Sequence, residues 1–223
     1  MIAEYVQQIS IWAIPILAAI VFHEVAHGWV AFRLGDPTAA RMGRLTLNPI
    51  SHIDLFGTVI LPLLLVIAHA PFLFGYAKPV PVNFQNLRNP KRDMIWVALA
   101  GPATNIILAL VSYLLLKILV SLDLPRDGSL ASIVVIPLIY MLHASARINI
   151  VLAVFNTFPI PPLDGGRVLV GLLPEPYSTT VARVEPYGFL IIVVLLMSHL
   201  LDAVLSPLVD FVHLFLRLMV GLA

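Results

Sequence analysis

The stretch that decides the reading is residues 9–32, ISIWAIPILAAIVFHEVAHGWVAF, in which Glu24 is the only formally charged residue. Its 24 residues, rising about 1.5 Å each, suffice to cross a hydrocarbon core of about 30 Å as one helix. An ionisable group at that depth costs on the order of 2.5–3.5 kcal/mol by insertion scales, so a lone Glu needs a compensating reason. The two histidines flanking it supply one. Residues four apart lie one above the other on a helix face, so His23 and His27 can hold one ion. Glu24 is turned by about 100° from His23, close enough to reach a metal-bound water and too displaced to be the obvious third ligand. This is the arrangement of a zinc hydrolase, in which two imidazoles bind Zn2+, the ion acidifies its water and the carboxylate takes the proton. The alternative is a pair of packing histidines beside an incidental Glu. With 7 His and 4 Glu in 223 residues, random placement gives this pattern roughly 0.4 % of the time.

Composition carries the same message outward. Hydrophobic residues make up 60% of the chain and charged residues 11%, with a mean hydropathy of +0.99. Soluble domains carry about 25% charged residues, so an all-α polytopic membrane protein is predicted. No polar block is large enough for a soluble domain, and residues 1–223 read as one membrane-embedded domain with a core over 10–173 and additional helices over 187–222. The net charge of +1 and the absence of a dense Lys/Arg cluster give no support for a nucleic-acid partner. Without Cys, a metal must be held by His and carboxylate. The N-terminus carries Glu4 and no basic region, so its apolar run is not read as a cleaved signal peptide.

Along the chain, Gly35, Asp36 and Pro37 should stop the first helix, and Arg44 to Leu47 alternates as one strand would. Residues 55–76 are apolar but interrupted by Gly57, Pro62, Pro71 and Gly75, which predicts a re-entrant or partly inserted segment. Pro79 and Pro81 suit an extended edge strand. The two loops around this segment hold seven of the 13 basic residues, which places both on the cytoplasmic side. Spans over 94–122 and 133–155, joined by a turn at 124–129, precede NTFPIPPLDGG, whose prolines forbid a regular helix. Residues 187–205 and 207–222 complete the chain. The prediction is about five to six transmembrane helices, plus a re-entrant or short β-hairpin segment between the first helix and the one containing AGPATN.

A catalytic zinc needs a third protein ligand and an open position. Asp164 is the choice, because Gly165 and Gly166 after it allow close backbone approach; a turn or cap carboxylate is the alternative. Glu175 and Glu185 are rivals that lie beside prolines in a polar connection. Asn105 in AGPATN can hold a substrate carbonyl or an oxyanion, or make an interhelical hydrogen bond, and spacing does not separate the two. Asn149 and Asn156 share a helix face and suggest a polar seam. Arg147, one turn from His143, is expected to face protein or water. His52, His69, His199 and His213 lack ligand spacing.

Taken in order, HEVAH, AGPATN and NTFPIPPLDGG resemble the site-2 protease family of intramembrane zinc metalloproteases, in its compact form without PDZ or CBS domains. The resemblance covers residues 10–173. It implies that His23, His27 and Asp164 bind one Zn2+, that Glu24 is the general base, that Asn105 contacts the peptide near the reaction centre and that Asn156 belongs to the segment shaping the site. It also implies cleavage of membrane-protein substrates at a locally unwound transmembrane segment, near the cytoplasmic side of the cell membrane. Extended segments at residues 44–47 and 78–84 would receive substrate as an added strand. The alternative function is a membrane metal-ion transporter or sensor using the same His/Asp site, which would be expected to show broken helices in matching halves or a relay through the whole span. A prenyl-protein protease would normally take its third ligand from a later Glu on a helix.

Overall fold

The computed structural model describes residues 2–69, 75–122 and 130–222. Helix α1 runs Ile2–Arg33, with the cation of Arg33 in its last turn where the helix dipole favours it. It stops where predicted, at a left-handed Gly35 with φ of 115°. Two short pieces follow, α2 (Thr38–Arg41) and then, after a π-helical turn over Leu55–Ile60, α3 (Leu61–Ile67). Helix α4 spans Pro90–Ser121 and begins with Pro at its first position, and the Asp93 carboxylate accepts from the Asn89 amide at 2.8 Å. Helix α5 spans Leu130–Asn156, and α6 to α9 cover Asp164–Leu172, Tyr177–Ala182, Glu185–Met197 and Leu200–Met219.

Helices α1, α4 and α5 pack against one another and α6 packs on α4. Many of the buried positions on the first three are small, among them Ala19, Ala31, Ala98, Gly101, Ala109, Ala146 and Ala153. Small residues let backbones approach closely where lipid removes the hydrophobic drive between helices. Large apolar side chains such as Trp12, Phe22, Trp29, Ile107 and Ile133 point outward instead. Helix α9 joins the far side of α4 and α5 through Tyr113, Leu116, Ile150, Leu216 and Val220.

Three described helices are long and apolar enough to cross a membrane, at Ser10–Arg33, Pro90–Ser121 and Ile133–Asn156, and α8 with α9 makes up to a fourth if that bent pair is one span. The expected five to six is higher for two physical reasons. The apolar stretch after residue 54 forms only Leu55–Ile67, short of the roughly 20 residues a span needs. Tyr76 N–H donates to Gly57 O at 3.0 Å, so this segment leaves and comes back to its own start. The last two apolar stretches divide at His199, which is left-handed with φ of 56° and sets α8 and α9 at 82°. Pro207, expected to open a segment, lies inside α9.

No β-hairpin forms among the described residues. Residues 44–48 and 75–83 form neither helix nor strand ladder; Pro79 and Pro81 have no amide hydrogen to offer one. The two stretches are joined by the Arg44 guanidinium, which donates to Lys78 O at 3.0 Å. The turn expected at 124–129 lies outside the described residues.

Candidate metal centre

His23 and His27 stand one turn apart on α1, with Nε2 atoms 3.0 Å apart. Asp164 opens α6, following the 157–163 segment that links it to α5, and its Oδ2 lies 3.2 Å from one Nε2 and 3.3 Å from the other. All three side chains are buried, at 7%, 9% and 6% exposure. The predicted third ligand is thus brought to the predicted pair from 141 residues away in sequence. Asp164 differs from expectation only in being the first residue of a helix rather than part of an irregular strip.

The other ring nitrogens explain what the three converging atoms lack. His27 Nδ1–H donates to Val97 O at 2.7 Å, and His23 Nδ1–H donates to Asn105 Oδ1 at 2.6 Å. A carbonyl can only accept, so in the neutral rings each Nε2 carries a lone pair. Two lone pairs and a carboxylate therefore face one point, and buried Asp164 Oδ2 has no hydrogen-bond partner. A cation satisfies all three. Zinc bonds of about 2.0–2.2 Å in tetrahedral geometry place ligand atoms about 3.3 Å apart, and the three separations here are 3.0, 3.2 and 3.3 Å. The donor set fits zinc.

Two close approaches make room for this cluster. A Cβ on Gly101 would stand 2.4 Å from His27 Nε2 and 2.6 Å from His23 Nε2, in the space where the ligand atoms converge. A Cβ on Gly166 would stand 2.2 Å from Pro161 N, so the glycines after Asp164 let α6 tuck beneath the proline segment. Glu24 is half-buried, and its Oε2 accepts from Val80 N–H at 2.7 Å. The 75–83 segment thereby touches the residue predicted to be the base.

Asn105 is fully buried, with Oδ1 on His23 and Nδ2 donating to Ala19 O and to Asn149 Oδ1. Its side chain makes the interhelical hydrogen bonds that the sequence left open, and orients a ligand ring. Asn156 donates to Leu152 O, one turn back in its own helix. The rivals lie on the surface, where Glu175 accepts from Thr179 and Glu185 pairs with Arg167 at 3.5 Å. His52 is buried against Thr46 O, and His213 hydrogen-bonds Tyr113. Sequence reasoning missed the two backbone partners, Val97 O and Val80 N–H. It could have found the pairing of Gly101 with Asn105, since four residues apart they share the α4 face that meets the rings.

An apolar helical bundle with a His/His/Asp cluster and a carboxylate adjoining it in sequence has the donor set of a zinc hydrolase. The sequence profile of Peptidase family M50 matches residues 11–199, and the chain belongs to that family of zinc metalloproteases. It is 36% identical over 197 residues to the protein named "Putative zinc metalloprotease YwhC" of Bacillus subtilis, covering 88% of this chain and 84% of that one. The similarly named Rip2 of Mycolicibacterium smegmatis is 31% identical over 186 residues, 83% of this chain and 66% of its own length. "Zinc metalloprotease MJ0392" of Methanocaldococcus jannaschii is 24% identical over 75% of this chain, which spans only 36% of that protein. No solved structure matches the chain. Family and apolar helices together make this a multi-pass membrane protein.

Proposed function

We propose that this protein is an intramembrane zinc endopeptidase that hydrolyses a peptide bond within or next to a transmembrane segment of another membrane protein. The observation that carries the reading is the position of the cluster on a spanning helix. His27 and His23 lie six and ten residues before the Arg33 end of α1, roughly 9–15 Å inside it at about 1.5 Å per residue.

In this reading His23, His27 and Asp164 hold zinc, which when bound polarises the scissile carbonyl and acidifies a water. Glu24 takes the proton from the attacking water and returns it to the leaving amine. Val80 N–H fixes the Glu24 rotamer by holding Oε2. A helical substrate has its peptide groups hydrogen-bonded internally, so the bond to be cut must first become extended. The 75–83 segment, which meets Glu24 at Val80 and forms no strand ladder of its own, would offer backbone groups to such a chain. Its prolines keep it from being absorbed into a ladder of its own. The basic residues flanking the apolar segment after α1 favour a site towards the cytoplasm, and the bacterial and archaeal sources of the similar proteins favour a prokaryotic plasma membrane.

The test is purified protein in vesicles with a single-span model substrate, wild type against Glu24→Gln. The variant is expected to keep one zinc per chain, lose cleavage and retain uncut substrate on affinity capture. Cleavage at the wild-type rate by Glu24→Gln would remove the proposed base and, with it, this mechanism.

A further inference from the structure

We infer that Asn149 is a positioning residue for the metal centre, acting through Asn105 to hold His23 in the one tautomer that presents a lone pair to zinc. The inference rests on the zinc reading above and extends it to a residue that touches none of the ligands.

A directed chain of hydrogen bonds runs through three helices. At the far end Ser112 Oγ–H donates to Leu108 O at 2.8 Å, so the Ser112 oxygen accepts from Ser145 Oγ–H, also at 2.8 Å. Asn149 Nδ2 donates to Ser145 O at 2.9 Å and to Ser145 Oγ at 3.3 Å. Backbone carbonyls have no hydrogen to give, so the Asn149 amide nitrogen must face Ser145 and its Oδ1 must face Asn105. Asn105 Nδ2 then donates to that oxygen at 2.8 Å and to Ala19 O at 3.3 Å. Flipping either amide would set a carbonyl oxygen against a carbonyl oxygen.

The only orientation left puts Asn105 Oδ1 at His23 Nδ1, 2.6 Å away, which requires a hydrogen on that nitrogen. The lone pair is thereby forced onto Nε2, the atom that faces His27 and Asp164. Asn105 and Asn149 are 0% and 1% exposed, so water cannot substitute for either. Buried polar groups gain from such full satisfaction and suffer when one partner is removed. His27 has a shorter route to the same end, because Val97 O fixes its tautomer directly. His23 depends on the two amides.

Partners that orient a metal-bound histidine typically change metal affinity by about 10–100-fold when lost. The experiment uses full-length protein in detergent, stripped of metal and titrated with zinc against a competing chelator, for wild type, Asn149→Leu, Asn105→Ala and the double variant. Asn149→Leu is expected to weaken zinc binding by about 10-fold or more, and the double variant to bind no more weakly than Asn105→Ala. In zinc-free, 15N-histidine-labelled protein, His23 is expected to be protonated on Nδ1 in wild type and to populate the other tautomer in Asn149→Leu, a signal that loosened packing alone would not produce. Where Asn149→Leu fails to fold, Asn149→Ser removes the same reach with a small polar side chain and carries the same expectations.

Zinc affinity within about twofold of wild type with an unchanged His23 tautomer would overturn the inference, as would effects that multiply in the double variant. Failure of the zinc reading itself would show differently, as unchanged zinc binding in Asp164→Ala measured alongside.

Discussion

Replacing Gly101 by Ala adds one methyl group where the structure has least room for it. The new Cβ would lie 2.4 Å from His27 Nε2, 2.5 Å from His23 Cε1 and 2.6 Å from His23 Nε2. Ordinary contacts between such atoms are about 3.5 Å or more, so either both rings or the α4 backbone must yield by about 1 Å. Metal sites tolerate ligand displacements of about 0.2 Å. If the rings yield, the donor atoms leave their mutual spacing; if α4 yields, the bonds from His23 to Asn105 and from His27 to Val97 O lengthen together. Either route should weaken zinc binding by about 100-fold or more, corresponding to roughly 2.7 kcal/mol. Overpacking also costs the fold about 1–3 kcal/mol. The assay is zinc content after purification plus chelator competition, with circular dichroism to establish that the helices persist. One tightly held zinc per Gly101→Ala chain, with affinity within about threefold of wild type, would show that the rings do not meet α4 as described.

Asp164→Ala should reduce zinc content to a small fraction of one per chain, since it leaves two imidazoles to hold the ion; stoichiometric zinc in that variant would refute the ligand set. Stripping zinc with a chelator should lower the unfolding temperature of wild type and leave that of Asp164→Ala unmoved, because a ligand bound only by the native state stabilises it; equal shifts in both would place the metal elsewhere. Asp36 accepts from Thr38, Asn83 N–H and Asn86 in the loop after α1, and although burial would raise its pKa, these bonds outweigh it and hold the carboxyl below the usual range. A depressed folded-state pKa contributes stability that is present above the ordinary Asp value of about 3.9 and is lost as pH falls through the folded value. Thermal unfolding at graded pH should therefore show a gap of about 1–3 kcal/mol between wild type and Asp36→Ala at neutral pH, closing below about pH 4; a gap that widens on acidification would contradict the sign.

The features most legible in the sequence were those that depend on side-chain identity at fixed spacing. His23, Glu24 and His27 declare themselves because helix geometry converts a four-residue interval into one face, and the third donor was narrowed to Asp164 by its flanking glycines. The harder features depend on backbone groups or on tertiary direction. Val97 O and Val80 N–H orient His27 and Glu24, and any residue at those positions carries the same atoms. Asn105 was recognised as a polar group within the bundle, but its direction became clear only when α1 and α5 were seen on either side of it. Arg44 to Leu47 alternates like a strand, yet its neighbour segment contains two prolines and is tied by a guanidinium instead. The break at His199 has no glycine or proline to announce it, while Pro207, which should have been a boundary, is accommodated within α9.

The distance in sequence between the donors imposes an order on biogenesis. The first two emerge with the opening helix, but the third arrives only after α4 and α5 have been synthesised and have settled beside it. A partly translated chain therefore holds an incomplete set of donors, and competence to hydrolyse anything is deferred until both intervening helices are in place.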